Sequence, residues 1–262
     1  PYSKSYVGTE ESISALTLEE VMAYYKSLFV KSKCFLVVVG DISQEDLRKK
    51  VEMSLGKMPE GKFSGIKINL LQTTKSAIHT EQRDIATNYI RGIAGAPQKG
   101  TREALAMTIA MAVFSDILFE EIRTKRGLSY APQSYFPSSI ISSPYNIFYV
   151  TTIDPNQSVQ VITDNIKKIR NEGFVEKDVK HKLGTYVTYH YMRNETNAQQ
   201  ASMLGLGEMT GGWSQVNSFT KEVQSLTVDE VNAAFKKYIT GIKWVYLGKT
   251  EEIEKTVFTQ SL

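Results

Sequence analysis

A chain of 262 residues, 42% hydrophobic and 23% charged, has an ordinary globular composition and is long enough to bury a sizeable core. Its 31 basic and 28 acidic residues leave a net charge of +3 spread along the sequence, so no basic stripe points to nucleic acid. No apolar run is long enough to cross a membrane, and the single cysteine excludes an internal disulfide.

The chain opens on Pro1 and shows no signal peptide, as expected of a processed product or an expressed segment. Thr17 is a good N-cap, and Glu20 three residues later completes a capping box, so a helix starts within LTLEEV. A short apolar strand is expected over Phe35 to Ile42, with Cys34 as a buried core thiol, followed by an acidic helix start. Met58 to Gly65 is punctuated by proline and glycine and reads as a linker. Beyond it, Ile66 to Leu71, Ala77 to Gln82 and Tyr89 to Ala94 read as strands. Thr101 then caps a helix running to about Thr124. Its apolar positions, Leu105, Ile109, Val113 and Ile117 together with Met107, Met111, Phe114 and Leu118, surround it so widely that the helix must be mostly buried. Gly127 ends that connection, Leu128 to Phe136 and Tyr145 to Thr152 are expected to pair, and Pro132 marks an edge or bulge. Gln157 to Asn171, Glu176 to Arg193 and Asn197 to Glu208 read as helices. Strands followed by a block of helices, with hairpin-length connections, favour an α+β fold with a largely antiparallel sheet.

The first segment returns near the end. Ala15-Leu16-Thr17-Leu18-Glu19-Glu20-Val21 reappears as Ser225-Leu226-Thr227-Val228-Asp229-Glu230-Val231, each with an aromatic four residues on (Tyr25, Phe235) and a strand ending in glycine (Gly40, Gly248). Helix, strand and helix follow in the same order in both copies, which favours true repetition over two unrelated capped helices. The expected organisation is the tail of one module over 1–60 and a complete second module over 66–262. If modules repeat as units, the front of the first begins roughly 140 residues before Pro1.

The search for chemistry is mostly negative. His79, His181 and His190 lack the i, i+4 partners of a zinc site, and neither HExxH nor HxxEH occurs. No G-x-S-x-G is present, Gly205-Leu206-Gly207 lacks the context of a dinucleotide loop, and Gly211-Gly212-Trp213 reads as a helix stop. Tyr186, Tyr189 and Tyr191, with Arg193, fall at helical spacing and read as core. The helix end Glu120-Glu121-Ile122-Arg123-Thr124-Lys125-Arg126-Gly127-Leu128-Ser129-Tyr130 gathers cations where the helix dipole favours them, with Glu120 one turn before Arg123. A solvated, charge-paired face accounts for those cations without any function.

Gly8-Thr9-Glu10-Glu11 with LTLEEV, the segment FLVVVGDI and the run LFEEIRTKRGLSY resemble the pitrilysin and mitochondrial processing peptidase family over essentially the whole chain. The resemblance implies inverted-motif zinc metallopeptidases built from paired α/β halves closing around a peptide substrate. One half carries zinc, and the other carries an arginine and a tyrosine at the spacing of Arg123 and Tyr130. It therefore implies a processing-peptidase-like, non-metal half domain with no cofactor of its own. Zinc is expected on the absent front half or on a partner subunit, and Arg123 and Tyr130 become the candidate catalytic pair. The other readings are a catalytically silent scaffold on the same fold, the partner subunit of a heterodimeric peptidase, and a stand-alone peptide-binding domain.

Overall fold

Five strands, several alternating buried and exposed residues, form one sheet in the larger unit. In the computed structural model, which describes residues 6–64, 69–137 and 143–262, the strands are β1 (Ala77–Gln82), β2 (Asn88–Gly95), β3 (Gln133–Tyr135), β4 (Tyr145–Thr152) and β5 (Lys243–Gly248). They lie in the order β1-β5-β2-β4-β3. The β1 and β5 strands are parallel and every other pair is antiparallel, so the sheet is mixed and largely antiparallel, as the sequence indicated. Register places Phe148, Gly92 and Trp244 side by side on one face, and Tyr149, Arg91 and Val245 on the other. The first face is buried. The second keeps Tyr89 and Val245 exposed.

Helices cover the buried face: α4 (Arg102–Leu118), α5 (Pro155–Glu172), α6 (Glu176–Met192), α7 (Asn197–Thr210), α8 (Ser214–Gln224), α9 (Val228–Tyr238) and the short α10 (Lys255–Thr259). Thr101 caps α4 as expected, its hydroxyl accepting from the Ala104 N–H at 3.2 Å. Phe114 from α4 meets Phe148 of β4 edge-on at 5.8 Å and Phe235 of α9 at 5.3 Å, so one ring joins helix, sheet and second helix. Arg102 at the start of α4 donates to Glu230 and Glu222, and Glu230 also closes the capping box of α9 on Thr227. Those hydrogen bonds, Arg102 foremost, hold the Glu230 carboxyl at about 2.

The structure corrects several expectations. Helical geometry does not run unchanged to Thr124, since α4 ends at Leu118 and passes into a wider π-helical turn, Phe119–Thr124. The strand expected over Leu128 to Phe136 shrinks to Gln133–Tyr135, because Leu128 and Ser129 are buried in irregular chain and Pro132 has no N–H for a ladder. The strand expected over Ile66 to Leu71 lies partly outside the described residues, and Asn69 to Leu71 form none. Gly211 ends α7 as expected, but α8 after it was not anticipated, since Trp213 offers no side-chain cap.

The chain divides into two compact units, Pro1–Lys67 and Ile68–Leu262. In the first are α1 (Glu10–Ser14), α2 (Leu18–Leu28) and α3 (Gln44–Ser54). Both repeat copies form their predicted helices. Helices α2 and α9 are each 11 residues long, open with a capping box, and close on backbone of nearly the same geometry, φ −83 and ψ 71 at Phe29 against φ −92 and ψ 73 at Ile239. What differs is cover. Val231, Ala234 and Phe235 are buried, whereas their counterparts Val21, Tyr24 and Tyr25 are exposed. Phe35 to Ile42 forms no strand and Cys34 is exposed, contrary to expectation, because no strand in the first unit's described residues offers a hydrogen-bonding edge.

Phe235→Ala should therefore destabilise the chain by about 3–5 kcal/mol, and Tyr25→Ala by less than about 0.5 kcal/mol. Urea denaturation of both variants checks this, and equal losses would contradict the difference in cover. Glu230 has a folded pKa depressed below its unfolded value, so its contribution is complete above the ordinary carboxylate range and lost as pH falls toward about 2. Carboxyl NMR titration should place Glu230 there, and Arg102→Met should return it toward about 4.3.

Candidate functional site

The π-helical turn sets the geometry at Arg123. From Phe119 to Thr124 the backbone closes in wider rings, and Lys125 N–H bonds the Glu120 carbonyl at 3.0 Å. Gly127 then takes φ +63, the left-handed conformation that stops helices, while its N–H bonds Arg123 O at 3.0 Å and Leu128 N–H reaches Ile122 O at 2.9 Å. Ile122 is buried within this turn and pins it to the core. The chain leaves toward Tyr130, three residues before β3.

This path brings the two predicted residues together. The Arg123 guanidinium lies over the Tyr130 ring with its carbon 4.2 Å from the ring centroid, and 4.7 Å from the centroid of Phe119. It is held between two aromatic faces. The attraction arises from the ring quadrupoles, at about 0.5–1 kcal/mol for each exposed contact. Tyr130 is 77% exposed, so its phenol faces solvent while its ring holds the arginine.

Around this pair the expected charge-paired, solvated face holds for Lys125 and Arg126 but not for Glu120 with Arg123. Glu121, rather than Glu120, is the carboxylate of the helix end, and it accepts from both Lys125 and Arg126 at 2.6 Å. Those bonds, Lys125 first, hold its carboxyl below the usual range. Among the described residues Arg123 joins no ion pair, which leaves its guanidinium edge and all its donors available. Lys125 and Arg126 are thus paired locally, and among the described residues Arg123 is not. Sequence reasoning missed Phe119 and Glu121. The four-residue spacing of Phe119 and Arg123 carried a signal for the first, since such pairs share a helix face.

The histidines stay apart. His79 is exposed on β1, His181 lines a surface cleft with Asp178 and Asp116, and His190 stacks on Phe219 at 4.7 Å and bonds Asn194. Among the described residues no group of three or more His, Cys, Asp and Glu side chains is arranged to hold a metal ion. Contrary to the core reading, Tyr189 and Tyr191 are exposed, and Tyr186 and Tyr189 line a cavity of about 310 Å³ between α4, α6 and β3.

Residues 15–183 match the family described as Peptidase M16 inactive domain. The chain belongs to this family. Among curated relatives, an uncharacterized zinc protease of Mycobacterium leprae is 21% identical over 247 residues, covering 89% of this chain and 54% of its own length. A non-peptidase homolog, YmxG of Helicobacter pylori, is also 21% identical, over 75% of this chain and 46% of its own. The M16 chain thus spans about half the length of these relatives. The crystal structure of the peptidase M16 inactive domain from Pseudomonas fluorescens shares the fold, with a TM-score of 0.81 at 20% identity over 95% of this chain and 61% of that one. The fold and family resemblance read from the sequence are confirmed.

If the aromatic clamp orients Arg123, Phe119→Leu should remove ring-current shielding and move the Arg123 side-chain N–H resonance downfield, with Phe119→Trp restoring it. An unmoved resonance in Phe119→Leu would show that the stack does not persist in solution.

Proposed function

We propose that this chain is the non-metal half of a zinc-dependent peptidase, and that it helps enclose a peptide while supplying Arg123 and Tyr130 to an active site completed by a zinc-bearing homologous half. The observation that carries the reading is an always-charged guanidinium, clamped by aromatic rings and free of carboxylates, beside an exposed phenol. The zinc-bearing half belongs either to the same polypeptide or to a separate subunit. The exposed apolar face of α2, whose repeat counterpart is buried, supports the existence of such a cover.

In this reading zinc is held by the other half, where it would supply Lewis acidity and an activated water. On this chain, the guanidinium fork of Arg123 hydrogen-bonds the carbonyls or carboxylate of a bound peptide and fixes its position. The Tyr130 hydroxyl donates to the carbonyl oxygen that gains negative charge as the peptide bond is attacked. A preset donor of this kind contributes about 3 kcal/mol to turnover. Because these donors stand on the half opposite the metal, closure of the halves would assemble the site and exclude water together.

A silent scaffold on the same fold is the second reading, favoured by the relative named a non-peptidase homolog. Kinetics of the complete, zinc-loaded protein separate the two. Tyr130→Phe should lower kcat by about 10²-fold with little change in KM. Arg123→Ala should lower kcat and raise KM. The 262-residue chain alone should bind no stoichiometric zinc and cleave no peptide. Zinc-dependent proteolysis by this chain alone would refute its assignment as the non-metal half, and unchanged kinetics in both variants would refute the role of Arg123 and Tyr130.

A further inference from the structure

Away from Arg123 and Tyr130, α4, α7 and α8 enclose an open-mouthed cavity of about 450 Å³, within the roughly 300–1,000 Å³ typical of small-ligand pockets. Its walls are apolar: Leu105, Phe136, Met203, Leu206, Val216 and Phe219. The packing that forms it is tight. Gly100 has φ +74, and a Cβ there would fall 1.9 Å from the Thr210 carbonyl oxygen, so the loop lies directly on the end of α7. A Cβ on Gly207 would fall 2.7 Å from Val216. Gln215 ties α8 to α7 through the Gly207 carbonyl at 2.8 Å.

Three charged side chains line this space, and two of them neutralise each other. Arg102 holds Glu222 at 3.0 Å and Glu230 at 2.5 Å. The third, Lys99, has no carboxylate within 4.0 Å among the described residues, and the remaining residues of the chain include no Asp or Glu. Its ammonium lies 3.3 Å from the centroid of the Phe136 ring and donates to the Pro137 carbonyl. An ammonium has three donors, so one is left. Neither α7 nor the chain at Phe136 brings another charge to the cavity. A part-buried cation with a spare donor, at the end of an apolar space, is complementary to an anion carried on an apolar body.

We propose that this cavity binds a small amphiphilic carboxylate, its apolar chain between α4, α7 and α8 and its carboxylate on Lys99. Two sources share that chemistry, a free medium-chain carboxylic acid and the C-terminal carboxylate of a short peptide ending in an apolar residue. The site stands independently of the peptidase reading.

Burial alone lowers the Lys99 ammonium to about 8, so its charge is present at pH 7 and largely lost by pH 9. Calorimetry with decanoate, decanol and acetyl-Gly-Leu on the whole chain tests the site. Decanoate should bind once per chain, at least about tenfold more tightly than decanol at pH 7. That preference should fall about tenfold by pH 9 in the unaltered protein. Lys99→Met should remove it at pH 7 while decanol still binds, and Val216→Trp should abolish both. Acetyl-Gly-Leu binding with the same Lys99 dependence identifies a peptide carboxylate as the source, and its failure beside decanoate identifies the free acid. Absence of decanoate binding, a decanol affinity equal to that of decanoate, or a decanoate affinity insensitive to pH and to Lys99→Met would overturn the proposal.

Discussion

Almost everything in the larger unit follows from the need to bury α4, a helix with very little polar surface. Nine of its residues are fully enclosed, and Phe114 alone joins β4 to α9. A helix so apolar on all sides must be covered on all sides, so the sheet lies against it, α9 packs alongside, and α6 and β3 close around it. Its ends are then fixed in space. At the N-terminal end Arg102 is held by Glu222 and Glu230, and at the C-terminal end the buried Ile122 anchors the π-helical turn that carries Arg123.

That turn converts packing into a site. Glu121 draws Lys125 and Arg126 to itself, the aromatic rings of Phe119 and Tyr130 hold Arg123, and the guanidinium stays without a carboxylate among the described residues. Aromatic faces restrain a guanidinium without consuming its donors, since the attraction acts perpendicular to the plane in which those donors lie. Such an arginine is held in place without being neutralised by the fold.

Much of this was legible in the residues. The capping boxes at Thr17 and Thr227 announced their helices, and the period-two segments Ala77 to Gln82 and Tyr145 to Thr152 are the observed strands to the residue. Misreadings came where context overrides local pattern. Phe35 to Ile42 has strand composition, yet a strand exists only beside another, and none is there in its unit. Cys34 is exposed for the same reason. The π-helical turn is invisible to a 3.6-residue period, and although Phe119–Arg123 and Glu121–Lys125 sit at i,i+4 spacing, the stacking of Tyr130 on Arg123 across the turn could not be read from spacing alone.

The central claim is that Arg123 and Tyr130 act as one unit at a site whose metal lies on another half. A double-mutant cycle on kcat/KM, comparing Arg123→Ala, Tyr130→Phe and the double variant in the complete zinc-loaded protein, tests it most directly. Residues that act as a unit lose function only once, so the double variant should be scarcely worse than the more damaging single one. Losses that multiply would show two independent contributions and contradict the account, as would three variants with unaltered kcat/KM.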